Sequence, residues 1–139
     1  MIGIVIAGHG SFSTAILESV ELIAGSVQKA ETVEFKDDTD KLEKEIKQAI
    51  HEVDGGNGVV CFTDLAGGTP FNICSQVASS LSGVQVIGGI NSPMLLSGIF
   101  QREAGLQEFV EKVMEDGKSN IKQFAMEKRK ESSTSQDGI

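Results

Sequence analysis

The sequence of 139 residues is poor in the residue types that mark several large classes of protein. It has no tryptophan and no tyrosine, and only two cysteines, two histidines and two prolines. Cys61 and Cys74 do not form a Cys-x-x-Cys pair, so neither a disulfide scaffold nor a zinc site is indicated. Two histidines far apart in the sequence supply too few ligands for another metal site. We therefore expect no metal and no cofactor.

Positive charge and long apolar runs are also scarce. Twelve basic residues stand against twenty acidic ones, for a net charge of -8, which argues against a protein that binds the phosphate backbone of nucleic acid. No stretch approaches the ~20 apolar residues of a membrane span, and no basic segment precedes the N-terminal apolar run. We expect a cytoplasmic protein that neither binds nucleic acid nor inserts into a membrane. Its single domain is expected over residues 1–127, and the polar residues 128–139 are expected to be a disordered tail or a linker remnant.

The order of apolar patterns predicts a doubly wound α/β protein. Short β-branched runs predict four strands, at residues 2–7, 31–35, 58–63 and 84–90. Apolar residues at helical spacing predict five helices: one closed by Gly25, one between Thr39 and Gly55, one from Pro70 to Gly83, one over 94–102, and one from Leu106 that is broken near Gly117. Thr39, Thr69 and Ser92 are the candidate N-caps.

This alternation of strands and helices implies a three-layer sandwich around a central parallel sheet, with the expected strand order 2-1-3-4. The second run alternates with polar residues, so it should be more exposed than the others. Such sheets bind ligands beyond the carboxyl ends of the strands, where the winding reverses. The residues that follow the first and third strands are therefore the candidates for a site.

The first strand ends in Gly8-His9-Gly10-Ser11. The glycines allow a sharp turn that leaves the imidazole exposed. Ser11 and the N–H groups at the start of the next helix can hold an anion beside His9. The alternative is a loop histidine that is satisfied by a backbone carbonyl.

The third strand ends in Thr63 and continues as Asp64-Leu65-Ala66-Gly67-Gly68-Thr69. If the first and third strands are neighbours, Asp64 reaches an imidazole nitrogen, fixes its tautomer and stabilises positive charge on the ring. Gly67, Gly68 and Thr69 then supply backbone, a hydroxyl and a helix start for a second anion contact. The alternative is that Asp64 caps its own loop.

Competing motifs are absent. The sequence has no P-loop and no Gly-x-Ser-x-Gly elbow, and Ser13 stands where the third glycine of a dinucleotide-binding motif belongs. An exposed histidine, a carboxylate and anion-holding loops together predict a covalent phosphohistidine site. His51, the other histidine, is expected on the solvent-facing side of the second helix.

Three blocks of sequence resemble the EIIA domain of the mannose family (mannose/fructose/sorbose class) of bacterial phosphoenolpyruvate-dependent sugar phosphotransferase systems. The blocks are 4–10, 63–72 and 89–95, and the likeness extends to about residue 127. The resemblance implies that His9 accepts phosphate from phospho-HPr and passes it to a histidine of the cognate EIIB, serving the membrane components EIIC and EIID indirectly.

The resemblance also assigns roles to individual residues. Asp64 matches the aspartate that hydrogen-bonds the active histidine, and Thr69 matches a serine or threonine near the phosphate. Ala66 stands where other members have tryptophan or another bulky residue. The positions expected to stabilise the phosphate are Gly10, Ser11, Gly67, Gly68 and Thr69. Those expected to face the partner proteins are Phe12, Ala66, Phe71, Asn91 and Met94.

The quaternary structure is a further implication of the resemblance. Members of the family are homodimers in which a C-terminal strand crosses to the partner's sheet and pairs antiparallel to it. Residues 119–124, whose pattern fits either a helix or a strand, would be that swapped edge strand.

Two other functions use the same fold. A phosphotransferase subunit that feeds a dihydroxyacetone kinase has the same chemistry, but such proteins usually continue into further phosphocarrier domains. A regulatory module would sense phosphorylation without passing phosphate on. Receiver domains phosphorylate an aspartate of an acidic cluster after the first strand, and here Gly8-His9-Gly10 occupies that place.

Overall fold

The computed structural model describes residues 1–126, which form an α/β sandwich. Strands and helices alternate along the chain. The elements are β1 (Gly3–His9), α1 (Phe12–Ala24), β2 (Ala30–Phe35), α2 (Thr39–Val53), β3 (Val59–Thr63), α3 (Thr69–Ser79), β4 (Val84–Gly88), α4 (Ser92–Ile99) and α5 (Leu106–Ser119). Each predicted strand and helix is present, with ends that differ by a few residues.

The four strands form one parallel sheet in the order β2-β1-β3-β4. Helices α2 and α3 pack on one face of the sheet, and α1, α4 and α5 cover the other. The predicted fold class and strand order are confirmed. The winding reverses between β1 and β3, which places their carboxyl ends side by side.

Burial follows the position of each strand in the sheet. The side chains of β3 are buried on both faces, and so are those of β1 up to its last residue, whereas β2 lies at an edge and buries only Val33 fully. Cys61 and Cys74 are both buried in the core beneath α2 and α3. A hydrogen bond with Cys74, together with burial, raises the pKa of the Cys61 thiol, which keeps it an unreactive apolar group.

The three candidate N-caps are wrong by one residue. Thr39, Thr69 and Ser92 are the first helical residues, and the caps are the preceding Asp38, Gly68 and Asn91. The side-chain oxygen of Asp38 accepts the N–H of Lys41 at 3.1 Å, and that of Asn91 accepts the N–H of Met94 at 3.0 Å. Aspartate is a stronger capping residue than threonine, which favours Asp38 over Thr39, whereas asparagine and serine cap about equally well, so the ranking does not decide between Asn91 and Ser92.

Helix α5 does not break at Gly117 but continues to Ser119. A Cβ atom at Gly117 would lie 2.7 Å from Cε and 3.1 Å from Cβ of Met94. This glycine therefore allows α5 to pack closely against α4. The predicted fourth helix also ends earlier than expected, at Ile99.

Beyond α5, residues 121–126 form neither a helix nor a strand. Their apolar side chains Ile121, Phe124 and Met126 are 76–84% exposed. The swapped edge strand at 119–124 stays a prediction, and its first residue closes α5. The tail expected over 128–139 lies outside the described residues. Within residues 1–126, no helix combines the length and apolar character that crossing a membrane requires.

Arg102 ties together the amino-terminal end of the sheet. This arginine is 6% exposed. Its Nε donates to the carbonyl of Ile2 at 2.9 Å, Nη2 donates to that of Lys29 at 2.8 Å, and Nη1 donates to that of Gln28. Burial lowers the pKa of the guanidinium group. The side chain thus joins the entries of β1 and β2 from a position 100 residues along the chain from Ile2.

Candidate functional site

His9 and Asp64 meet at the carboxyl edge of the sheet. His9 is the last residue of β1, and Asp64 directly follows the last residue of β3, Thr63. The two strands pair directly, with Ala7 opposite Thr63. The prediction that the first and third strands are neighbours is confirmed. Their pairing brings together two residues that are 55 positions apart in the sequence.

The Asp64 carboxylate makes three hydrogen bonds. Its Oδ2 lies 2.8 Å from Nδ1 of His9 and accepts the backbone N–H of the same residue at 2.9 Å. Its Oδ1 accepts the N–H of Leu65 at 2.9 Å. The Asp64 side chain is only 11% exposed, whereas that of His9 is 45% exposed. The carboxylate is therefore held in place while the imidazole faces solvent.

The protonation state of Asp64 determines the histidine tautomer. Burial raises the pKa of the Asp64 carboxyl. The hydrogen bonds from the backbone and ring of His9, the charge of His9 and the hydrogen bond from the Leu65 N–H together outweigh burial, so the pKa is lowered. An ionised carboxylate only accepts hydrogen bonds, so Nδ1 of His9 has to donate its proton to Oδ2. In the neutral tautomer that this hydrogen bond selects, the lone pair is on Nε2. Within residues 1–126, Nε2 makes no hydrogen bond.

The glycines around His9 meet two different demands. At Gly8 a Cβ atom would lie 2.7 Å from Cδ2 of Phe12 and 3.2 Å from Cγ of Asp64, so no side chain fits. At Gly10 the backbone has φ of 57°, in the left-handed region, where glycine is the least strained residue. The Gly10 N–H donates to the carbonyl of Phe35 at 2.8 Å.

Phe35, the last residue of β2, contacts the imidazole from the other side. The two ring centroids are 5.7 Å apart with an interplanar angle of 77°. Phe35 was not among the site residues predicted from the sequence. The signal was available, because the predicted order 2-1-3-4 places the end of the second strand beside His9.

The loop after β3 runs along the edge of the imidazole. The N–H of Gly68 donates to the carbonyl of Leu65 at 3.0 Å, and Gly67 has φ of 84°. A Cβ atom at Gly68 would lie 3.3 Å from Cε1 of His9. The backbone of this loop therefore borders the ring directly, and the side-chain amide of Asn72 donates to the Gly67 carbonyl at 3.1 Å.

Two helix N-termini face this edge, because α1 follows β1 and α3 follows β3. Ser11 is the exposed N-cap of α1, and its side chain makes no capping hydrogen bond. Thr69 is the half-buried first residue of α3. Free N–H groups at helix starts are the usual protein donors to a phosphate. Within residues 1–126, no group of three or more histidine, cysteine, aspartate or glutamate side chains is arranged to hold a metal.

Three of the five expected partner-facing residues, Phe12, Ala66 and Phe71, lie on the rim of the site at the carboxyl edge of the sheet. Ala66 is exposed, and Phe12 and Phe71 are half-buried. Leu65, which was not among the predicted partner-facing residues, is 59% exposed. A Cβ atom at Gly88 would lie 2.6 Å from Cα of Ala66, so the loop rests directly on the end of β4.

Of the other two expected partner-facing residues, Asn91 is half-buried and Met94 is buried. Met94 is 6% exposed and belongs to the core beneath α4 and α5. The Asn91 side chain caps α4 and donates through Nδ2 to the carbonyl of Gly117 at 3.0 Å. Both residues join α4 to α5. Burial contradicts the expectation that Met94 faces a partner, whereas a partner-facing role for Asn91 stays a prediction.

The fold and site together define a doubly wound α/β protein with an exposed, carboxylate-oriented histidine at its switch point. The family model described as "PTS system fructose IIA component" (EIIA-man) matches residues 3–114. The chain belongs to this family and is an EIIA component of the mannose/fructose/sorbose class of sugar phosphotransferase systems. The likeness expected from the sequence is confirmed.

Individual relatives support the assignment. The chain is 30% identical over 124 residues to a "Putative phosphotransferase enzyme IIA component YadI" of Escherichia coli K12, and covers 85% of it; the match covers 87% of the chain itself. It is 30% identical over 105 residues to a "PTS system fructose-specific EIIA component" of Bacillus subtilis, with 74% of the chain and 72% of the relative covered. An EIIA crystal structure from Streptococcus agalactiae superposes with a TM-score of 0.81 at 28% identity, covering 88% of this chain and 97% of that one.

Proposed function

We propose that His9 accepts and donates the phosphoryl group of this EIIA component through its Nε2 atom. The observation that supports this most directly is the 2.8 Å hydrogen bond between Nδ1 and Asp64. It occupies one ring nitrogen and leaves the other as the exposed nucleophile.

In the proposed transfer, one phosphorus–nitrogen bond forms as another breaks. The Nε2 lone pair forms a bond to phosphorus, and the bond between phosphorus and the histidine of phospho-HPr breaks, with its electron pair returning to the donor ring. The proton stays on Nδ1, where the Asp64 carboxylate stabilises the positive charge that the phosphorylated ring acquires. The reverse step then delivers the phosphoryl group to a histidine of the cognate EIIB.

The surroundings of Nε2 suit a dianionic group. Gly10 and Ser11 lie at the start of α1, and Gly67, Gly68 and Thr69 lie at the start of α3. In the proposal, backbone N–H groups and hydroxyls from these residues hold the phosphoryl oxygens.

The proposed partners follow from the same chemistry. Phospho-HPr is the phosphoryl donor and EIIB is the acceptor. The membrane components EIIC and EIID are served only indirectly, through EIIB. Phe12, Ala66 and Phe71 would contact these partners at the rim. The cytoplasmic location stays a prediction.

We also propose a homodimer in which residues 119–124 add an antiparallel strand to the partner's sheet. Strand β4 ends the sheet and pairs only with β3 in residues 1–126, and Ile121 and Phe124 expose most of their apolar surface. Sedimentation of the intact chain and of a chain ending at Asn120 tests this. A monomer in both cases would refute it.

The function is tested by intact-mass measurement after incubation with phosphoenolpyruvate, Enzyme I and HPr. The wild type should gain one acid-labile phosphate, and His9→Ala should gain none. His51→Ala is the matched control, because His51 is exposed on α2, and it should behave as the wild type. Phosphate acceptance by His9→Ala would overturn the assignment. Acceptance without delivery to any EIIB would instead support the regulatory module or the dihydroxyacetone kinase subunit.

A further inference from the structure

Within residues 1–126, the His9 side chain makes a single hydrogen bond, the one from Nδ1 to Asp64 that orients the ring. The contact between Nδ1 of His9 and Asp64 restricts rotation about the Cβ–Cγ bond, but small rotations about the side-chain bonds still change the direction in which Nε2 points. The side chain is 45% exposed, so surrounding protein does not enclose it. In-line attack on phosphorus requires the Nε2 lone pair to point at the incoming group. A second restraint on the ring would therefore favour the transfer by keeping Nε2 directed at the incoming phosphoryl group.

Phe35 supplies a contact of the required kind. Its Cα is in register with that of His9 across the β1–β2 pair. The ring centroids are 5.7 Å apart and the planes meet at 77°, within the range in which edge-to-face aromatic pairs are favourable. Because β1 lies between β2 and β3, Phe35 and Asp64 hold the imidazole from its two sides.

Phe35 is itself held in place. Its side chain is half-buried and packs against the core beneath α2 and α3. Its carbonyl oxygen accepts the N–H of Gly10 at 2.8 Å, which supports the turn after His9. The backbone contact does not depend on the side chain, so a substitution at this position leaves this hydrogen bond in place.

We propose that Phe35 is a positioning residue for phosphoryl transfer, whose ring orients the His9 imidazole so that Nε2 faces the phosphoryl donor. This inference rests on the proposed function of His9. It assigns Phe35 no contact with the phosphoryl group, since the ring acts only through the histidine.

The test is Phe35→Leu, which removes the aromatic ring and keeps an apolar side chain in the core. We expect the rate of phosphorylation at saturating phospho-HPr to fall about 2- to 10-fold, which corresponds to about 0.4–1.4 kcal/mol at 1.36 kcal/mol per tenfold, the size expected of an aromatic pair. The KM for phospho-HPr should stay unchanged, because the docking rim is intact. Phe35→Tyr keeps the ring and should restore the rate.

A matched control is available in the other core. Phe109 forms an edge-to-face pair with Phe62, with centroids 6.4 Å apart and an interplanar angle of 74°. Phe109→Leu should lower the thermal midpoint of unfolding and leave the transfer rate unchanged. Equal slowing by Phe35→Leu and Phe109→Leu, or a wild-type rate for Phe35→Leu, would refute the proposal.

A second measurement separates this inference from the function on which it rests. Side-chain NMR relaxation of the His9 ring, in protein labelled at histidine, reports ring order without any phosphoryl donor. The ring should be more mobile in Phe35→Leu than in the wild type or in Phe109→Leu. If the wild type takes no phosphate from phospho-HPr, the proposed function fails while the ring measurement still decides the role of Phe35. Equal ring order in all three proteins would refute that role.

Discussion

Replacing Asp64 by asparagine tests the site most sharply. The substitution keeps the size and shape of the side chain but removes the charge. Asp64 accepts three hydrogen bonds, two from His9 on Oδ2 and one from Leu65 on Oδ1. An amide has one acceptor oxygen and one donor NH₂, so it cannot satisfy all three donors in either orientation.

Either orientation of the amide in Asp64→Asn would weaken His9 as a nucleophile. With its oxygen towards His9, the NH₂ group faces the Leu65 N–H, and the bond to Nδ1 loses its charge assistance. With its NH₂ towards His9, it opposes the backbone N–H and forces Nδ1 to accept, which moves the ring proton to Nε2 and removes the nucleophilic lone pair. We expect phosphoryl transfer to slow by roughly 10²–10⁴-fold, or about 3–5 kcal/mol of lost transition-state stabilisation.

The assay is rapid-quench phosphorylation of Asp64→Asn by phospho-HPr, together with the ¹⁵N chemical shifts of His9, which report the tautomer. Asp54→Asn is the matched control. It removes the same charge from a carboxylate that accepts the N–H of Gly56 at 2.9 Å, at the opposite end of the sheet. It should transfer phosphate at the wild-type rate. A wild-type rate and an unchanged tautomer in Asp64→Asn would refute the proposed role and leave Asp64 as a cap of its own loop.

Two further predictions concern stability. The pKa of Asp64 is lowered in the folded protein. Its ionised carboxylate therefore contributes stability that is present above the unfolded pKa of about 3.9 and is lost as pH falls through the lower folded pKa. In urea titrations, the difference in unfolding free energy between the wild type and Asp64→Asn should shrink below about pH 4, and a difference independent of pH would contradict this prediction. Arg102→Ala should lower the free energy of unfolding by about 2–4 kcal/mol because buried carbonyls lose their donors, and Arg102→Lys should recover little, since one ammonium does not reproduce the fork of three donors. Full recovery by lysine in the same titration would show that charge alone matters.

Much of the fold was predictable because it follows from local patterns. Apolar runs such as 2–7 and 58–63 are buried on both faces and form central parallel strands, while the alternating run at 31–35 forms an edge. The crossover rule then restricts the strand order, and the order brings His9 and Asp64 to one edge of the sheet. The central pair of the site was therefore predictable, although 55 residues separate its members.

Two of the wrong predictions, those for Gly117 and Met94, have a common physical cause. Gly117 has the pattern of a helix end, yet it lies within α5 because Met94 packs against it. Met94 belongs to a block that resembles a functional segment, yet it lies in the core. Both outcomes depend on how α4 and α5 pack against each other, and periodicity along one helix does not specify its neighbour.

Fold class, strand order and the meeting of His9 with Asp64 could all be predicted from the amino-acid sequence. Each of these follows from periodicity, from chain connectivity or from a short motif at a strand end. Three features required the folded structure: Nδ1 is the bonded nitrogen, Phe35 contacts the ring, and Arg102 joins strands β1 and β2. These features depend on interatomic distances between segments that are remote in the chain, and such distances arise only when the side chains share one packed volume.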